Sequence, residues 1–415
     1  MDVSYDDSEI AREMADETRE FVEETVLPKE RELLGQRDAR ESEDYRAEAE
    51  DLIDDLEAEA KDRGLFCPQL PEEWGGQGLA FDDLLPVFEQ AGRSPLSQVA
   101  MHVSAPDEGN MHILEMAGTE DQQERWLRPL VEREITSGFS MTEPLAGAGS
   151  DPKMVKTTAE KDGDEWVING HKWWTTGGVD ADILIVVART DMDSHPYTGT
   201  TLFLVPADTP GVEVVRDVPH MGQTGSSHAE ITYDDVRVPD ENILGSENAG
   251  FMVAQQRLGP ARLTHCMRFT GMADRALDIA KAYMHEREAF GDKLAEKQAL
   301  RFEVAEAEMR LHAVRTMVRH AARQIAAGEQ ARAEVHMCKV FAAGVCQDVI
   351  DAALQICGGN GIGKDLPLAD FYEAVRVFRI VDGADEVHKR SIARRALAED
   401  AIEPAEIEYI TRFRD

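Results

Sequence analysis

The sequence predicts an α+β chain, mostly helical, with its elements in the order helices, strands, helices. Three observations predict it. Apolar residues recur every three or four positions up to about Leu130 and again from about Gly250. Between about Thr136 and Leu244 that spacing gives way to short β-branched and aromatic runs separated by Gly, Pro, Asp and Asn. Strands and helices do not alternate, so a doubly wound parallel sheet is not expected. At roughly 150 residues per domain, 415 residues suit two to three domains. The boundaries fall at 1–135 (helical), 136–245 (central antiparallel β) and 246–415 (helical bundle).

The elements follow in order. Leu52, Leu56 and Ala60 share a helix face, and Gly64 is a stop signal. LPEEWGGQG, residues 70–78, reads as a loop. Trp166–Ile168, Ile183–Arg189, Thr201–Val205, Val212–Val215 and Ala229–Tyr233 read as short strands of a barrel or sandwich, with turns at Asn169-Gly170 and Thr209-Pro210-Gly211. A buried stripe then runs through Leu263, Cys266, Thr270, Ala273, Leu277, Ala280 and Met284. A second takes in Phe302, Ala305, Met309, Ala313 and Met317, and a third Val335, Val340, Val345, Val349, Ala352 and Ile356.

Composition narrows the function classes. There are 44 Lys+Arg against 81 Asp+Glu, a formal charge of −37, and only 12 of the cations are Lys. Such a chain repels phosphates and carries no basic patch, so nucleic acid is not an expected partner. Excess carboxylate with little Lys is expected of a protein from a high-salt cytosol, where self-repulsion is screened. Five cysteines without a C-x-x-C pair suit a reducing compartment and argue against a disulfide framework or a zinc site. The acidic N-terminus does not resemble a signal peptide, and the longest apolar run, Ile183–Ala188, is too short to span a bilayer. A soluble, cytoplasmic protein with no membrane partner is expected.

Four segments could carry chemistry, each with a bland alternative. GGNGIG, residues 358–363, could cradle a phosphate, or could be a helix stop and a turn. FSMTEPLAGAGSD, residues 139–151, offers hydroxyls at Thr142 and Ser150 and freed amides at Gly147 and Gly149, or could be a plain surface loop. In INGHKWWTTGG, residues 168–178, adjacent Trp residues on an extended strand point to opposite faces. One would then be core and the other free to pack a flat ring, with core packing alone as the default. In VFRIVDGADEVHKR, residues 377–390, Asp382 follows an apolar run. Such an acid is paired or used, unless it caps a helix beginning near Ala384. His388 near it could be a base, but a solvated helical face is the expected place for it.

In this order, MTEP with GAGSD, INGHKWWTT, REAFGDKL (287–294) and QICGGNGI (355–362) resemble the acyl-CoA dehydrogenase family of flavoproteins. The resemblance covers almost the whole chain and implies a C-terminal four-helix bundle. APDEGNM (105–111), RLGPARLTHCMR (257–268) and VDGADEVH (381–388) are similar to the branch that includes family members 10 and 11. Where the usual pattern reads Glu-Gly-Thr, this chain has Asp382-Gly383-Ala384. Some relatives place the base at the position of Ala261, which cannot take a proton.

The resemblance implies an FAD enzyme that removes two hydrogens across the α,β carbons of an acyl-CoA. Asp382 would take the α proton, the β hydride would pass to flavin N5, and electrons would leave to an electron-transfer flavoprotein. Burial of the substrate would raise the carboxylate's pKa. Arg262 would lie beside the base, keeping it ionised or holding the helix end, with a structural ion pair as the competing reading, and Gly383 with Ser150 would meet the thioester. Phe139, Met141 and Thr142, with Trp174 and Thr176, would contact the flavin ring. Arg287, Phe290, Gln298, Gln355, Gly358 and Gly359 would meet the adenylate and pyrophosphate of a neighbouring subunit, so a homodimer or homotetramer is implied. Ala384, Asp385 and Glu386 would line the FAD. The loop from Thr142 to Ser150 is longer than the common form, and Ala384 lacks the usual hydroxyl. A nitroalkane oxidase-like flavin oxidase and a non-catalytic FAD-binding scaffold are the alternatives.

The salt reading has a direct test. The midpoint of thermal unfolding is expected to rise as KCl is raised from dilute buffer to molar concentration. Full stability without salt would remove the reading.

Overall fold

The computed structural model describes residues 5–35, 43–221, 227–398 and 401–412. The first helical region contains α1 (Glu9–Glu20), α2 (Leu27–Gly35), α3 (Glu43–Asp62), α4 (Phe81–Ala91), α5 (Pro95–Ala100) and α6 (Asp107–Ala117), then two short helices, α7 (Glu120–Gln122) and α8 (Arg128–Val131). Eight strands follow: β1 (Ser137–Ser140), β2 (Thr158–Asp162), β3 (Glu165–Thr176), β4 (Ile183–Arg189), β5 (Thr200–Pro206), β6 (Val212–Asp217), β7 (His228–Pro239) and β8 (Ile243–Leu244). The bundle is α9 (Gly250–Glu286), α10 (Gln298–Ala326) and α11 (Arg332–Cys357), completed by α12 (Gly359–Ile362), α13 (Leu368–Val377), α14 (Asp385–Ala396) and α15 (Pro404–Thr411).

The sheet order is β6-β7-β3-β2-β4-β5-β8, with β1 paired to β4. It is mixed rather than purely antiparallel, since β1 runs parallel to β4, as does the start of β2 at Thr158. A helical domain precedes β1, so the strand can enter the sheet in the same sense as β4 without a hairpin. β4 is buried along its whole length. Ile183, Ile185 and Val187 pack toward α6 and α8, while Leu184, Val186 and Ala188 pack against Trp166 and Phe203 on the other face. Each of these Ile, Leu and Val side chains contributes about 1.5–3 kcal/mol by leaving water.

The third core joins both helical regions. The stripe from Leu263 to Met284 on α9 is buried throughout, and it meets Leu85 and Phe88 of α4. α10 differs from expectation. Phe302 and Met309 are 61% and 57% exposed, whereas Ala307, Leu311, Val314, Val318 and Ala321 are buried. The packed face runs through Ala307, Leu311, Val314, Val318 and Ala321, so the expected stripe through Phe302 and Met309 has the wrong phase. On α11 the buried face also takes in Cys338, Lys339, Ala342 and Cys346, while Val340 and Ala352 sit at its margin. α11 has the length and apolarity of a membrane span, with 56% of its most apolar window buried inside the fold.

Two glycines fix how α4 crosses α9. A Cβ on Gly271 would lie 1.8 Å from the Glu89 carbonyl oxygen, and one on Gly92 would lie 2.1 Å from the Arg268 carbonyl oxygen. Neither backbone can yield without parting the helices. Gly271→Ala is therefore expected to cost at least about 1–3 kcal/mol, read as a lowered midpoint of denaturant unfolding with an unchanged slope.

Candidate active site

The site forms where α13 ends. Ile380 and Val381 amides both donate to the Val377 carbonyl, at 2.8 and 3.0 Å, closing the helix. The chain then turns through two left-handed residues, Asp382 (φ +56°) and Gly383 (φ +96°), before α14 begins at Asp385. A non-glycine residue held there costs on the order of 1–3 kcal/mol, so its surroundings must hold it. Arg262 Nε and His388 Nε2 both donate to the Asp382 carbonyl, at 2.9 and 3.1 Å. The buried Lys339 Nζ donates to the Gly383 carbonyl at 2.8 Å. Asp385 ties the far side, receiving Arg379 Nε at 2.8 Å and lying 3.4 Å from Lys339 Nζ.

Asp382 does not cap α14. Ala384 holds the N-cap position with no side-chain bond, and Asp382 Oδ2 is buried without a hydrogen-bond partner among the described residues. His265 Nδ1 lies 3.2 Å from that oxygen, but it donates to the Ala261 carbonyl at 2.7 Å. With the Asp382 and Gly383 carbonyls turned toward Arg262, His388 and Lys339, and the Ala384 carbonyl taken by the Val387 and His388 amides, the amides of Asp382, Gly383 and Ala384 have no acceptor among the described residues. Consecutive free amides at left-handed residues make a backbone nest suited to a developing oxyanion.

Electrostatics hold the carboxylate ionised. Burial pushes the Asp382 carboxyl up, but His265, Arg262, Arg257 and Lys339 outweigh it, so the net shift is below the usual range. Burial and Arg268 push His265 down, which leaves the arginines and Lys339 as the cations at neutral pH. The carboxylate is thus more readily ionised than burial alone implies. His388 is buried, not solvated, because its ring packs against Gly383, where a Cβ would lie 2.9 Å from Nε2.

The three finer motifs meet here. Arg257 is buried, donates to Asn110 Oδ1 at 2.9 Å and to the Pro106 carbonyl at 3.3 Å, and sits 4.3 Å from the Phe139 ring. Gly109 leaves room for it, since a Cβ would come within 2.9 Å of the guanidinium. Arg262 and His265, further along α9, face Asp382. Thus 105–111, 257–268 and 381–388 are one cluster in space.

Beside it, the end of β1 leads into Met141 and Thr142. The Trp173 amide donates to the Thr142 carbonyl at 3.0 Å. Trp174 has φ +55° within a bulge of β3, which breaks the alternation expected of neighbouring strand residues. Its ring is 41% exposed and meets Trp173, His220 and His228 edge-on. Thr176 pairs with His228. Phe139 and Trp173 are half-buried, and the hydroxyls of Thr142 and Thr176 have no hydrogen-bond partner among the described residues. Exposed aromatic faces beside unpaired hydroxyls fit a planar polar heterocycle such as an isoalloxazine. Ser150 lies exposed in the long loop, and Ala384 is half-buried, Glu386 exposed and Asp385 buried with its carboxylate occupied.

The remaining candidates lie elsewhere. Arg287, Phe290, Gln298, Gln355, Gly358 and Gly359 are all exposed. Lys339 beside Asp382 and Cys346 beside Thr270 show that α11 runs in the same sense as α9. The far ends of both helices therefore lie on one side, where Gly358 (φ +60°) ends α11 as a helix stop. Arg287 is 25 positions beyond Arg262, about 37 Å along a helix at 1.5 Å per residue.

Sequence reasoning missed Lys339, His265 and Arg257, which are ordinary helix residues until the chain is folded. It also missed Glu143, inside the MTEP motif. That buried carboxylate receives the Ala148, Lys156 and Thr157 amides, the Thr157 hydroxyl and Lys172 Nζ, at 2.7–3.1 Å. It anchors both the long loop and, through Lys172, the Met141 carbonyl. The signal available was an acid between the flavin-motif Thr and a Pro.

A buried carboxylate beside free amides and an aromatic, hydroxyl-bearing wall fits a flavin-dependent oxidoreductase. Comparison specifies the family. Profiles of the acyl-CoA dehydrogenase N-terminal, middle and C-terminal domains match residues 8–134, 138–236 and 248–397. The chain belongs to the acyl-CoA dehydrogenase family, whose fold is that of an FAD-dependent dehydrogenase. It is 44% identical to the probable acyl-CoA dehydrogenase FadE2 of Mycobacterium tuberculosis, over 84% of this chain and 86% of that one. It is 36% identical to human acyl-CoA dehydrogenase family member 11 over 94% of this chain, spanning 50% of that protein's length. Butyryl-CoA dehydrogenase of Megasphaera elsdenii superposes with a TM-score of 0.81 at 29% identity, over 96% of this chain and 100% of that one.

Glu143 offers a check on the wall. Burial raises its carboxyl, but Lys172 and Thr157 outweigh that and hold it below the usual range, while burial pushes Lys172 down to about 8. The carboxylate's stabilising contribution is present above its unfolded pKa and is lost as pH falls through the lower folded value. Glu143→Ala, which leaves Lys172 buried and unpaired, is expected to cost about 3–5 kcal/mol at pH 7. The difference from the parent should shrink in acid, read by denaturant unfolding across pH.

Proposed function

We propose that the protein catalyses α,β-dehydrogenation of acyl-CoA thioesters, with Asp382 as the base. The observation that carries this reading is the buried, unpartnered Asp382 Oδ2 beside free amides at 382–384. A carboxylate with an unused lone pair can take the α proton. The amides of Gly383 and Ala384 donate to the thioester oxygen as charge develops on it. Arg262 steadies the loop through the Asp382 carbonyl and keeps the acid ionised by its charge. Asp reaches roughly 1.5 Å less than Glu, and the left-handed turn is the backbone adjustment that presents it.

Phe139, Met141 and Thr142, together with Trp173, Trp174 and Thr176, would hold the isoalloxazine. When bound, FAD supplies the hydride acceptor opposite the base. The residues at the far end of the bundle lie too far from Asp382 to serve the same cofactor, so they complete the site of a second copy. The exposed Phe302 and Met309 of α10, with Met337 and Phe341 of α11, provide an apolar face for it. An electron-transfer flavoprotein is the electron acceptor in this reading, in a cytoplasm of high salt.

Asp382→Asn is the test. Anaerobic titration of this variant with a panel of acyl-CoA thioesters is expected to leave FAD bound and to slow flavin bleaching by several orders of magnitude. Unchanged bleaching would reject Asp382 as the base.

A further inference from the structure

Behind the Asp382 turn, two imidazoles lie in series, their rings tilted by 53°. His388 Nε2 lies 3.1 Å from the Asp382 carbonyl, and His388 Nδ1 lies 2.6 Å from Nδ1 of His336 on α11. A carbonyl cannot donate, so the proton of that contact is on His388 Nε2. Neutral His388 then has a bare lone pair on Nδ1. Two nitrogens 2.6 Å apart need one proton between them, so His336 carries its own on Nδ1. The chain of donation runs from His336 to His388 to the Asp382 carbonyl, and each imidazole has one allowed tautomer.

We propose that His388, backed by His336, is a positioning residue for the Asp382 base, and that His336 acts by fixing His388 in the tautomer that donates to the catalytic turn. The proposal rests on Asp382 being the base. Cations face the pair from every side: Arg262 from α9, Lys339 and Arg332 from α11, and Arg394 and Arg395 from α14. With burial as the larger cause, they hold both imidazoles down to about 4. The pair is therefore neutral at working pH, as the donation chain requires. Gly383 completes the fit, since any side chain there would strike the His388 ring.

The test uses the FAD-loaded enzyme. His388→Leu removes the donor, whereas His388→Gln keeps an N–H at similar reach. In single-turnover bleaching by an acyl-CoA, His388→Leu is expected to be slower by about tenfold to a hundredfold, with KM and FAD content unchanged, and His388→Gln to recover most of the rate. Equal loss in both variants, or none in His388→Leu, overturns the proposal. Nitrogen-15 histidine spectra give a second readout that needs no turnover. They should show His388 protonated on Nε2 in the parent and a tautomer mixture in His336→Leu. A His388 proton on Nδ1 in the parent overturns the proposal even if the leucine variant fails to fold. Asp382→Asn in the same assay separates the two failures. Bleaching that persists there removes the base assignment itself. Bleaching that is abolished there while His388→Leu runs at the parent rate removes only the positioning role.

Discussion

The site depends on one strained turn. Asp382 and Gly383 occupy left-handed backbone conformations in succession, and the donors that satisfy their carbonyls come from three helices. Arg262 belongs to α9, Lys339 to α11 and His388 to α14. Each of these groups is largely withdrawn from water, so each hydrogen bond acts in a medium where it is strong and where its absence would be costly. Turning the carbonyls away frees the amides. The same constraint thus fixes the acid and opens the nest beside it.

The packing of the bundle serves that arrangement. α9 carries Arg257, Arg262 and His265 on one side of its first half, while its buried stripe meets α4 and α11 on the others. Because Gly92 and Gly271 let α4 lie directly on α9, the helix has no freedom to rotate and move its arginines. Arg257 joins the two halves of the site. It touches Asn110 and Pro106 from the first helical region, sits against Phe139 at the start of the sheet, and adds its charge to Asp382.

Much of this was legible in the sequence, for identifiable reasons. The stripe on α9 was readable because every third or fourth residue there is apolar and the opposite face is not. β4 was readable because it is buried on both faces and so is apolar throughout. β1 was not, since Ser137-Gly138-Phe139-Ser140 has little β character and owes its pairing to β4. α10 misled because Phe302 and Met309 lie outward, off the packed face. In the site, Asp382 stood out as an acid ending an apolar run. Lys339 and His336 did not, since their partners are some fifty residues away in sequence and meet them only after α14 folds back. The bulge at Trp174 was hidden too, because nothing in two adjacent tryptophans announces a positive φ.

The distribution of charge has a kinetic consequence. The chain carries −37 overall, yet Arg257, Arg262, Arg268 and Lys339 are withdrawn around the reaction centre. An incoming coenzyme A thioester, itself polyanionic, first meets a repulsive exterior and only afterwards an attractive interior. Mobile ions weaken the first more than the second, because the outer charges are in solvent and the inner ones are not. Capture of substrate should thus quicken as electrolyte is added, the reverse of the usual dependence for an enzyme that draws in its ligand by opposite charge.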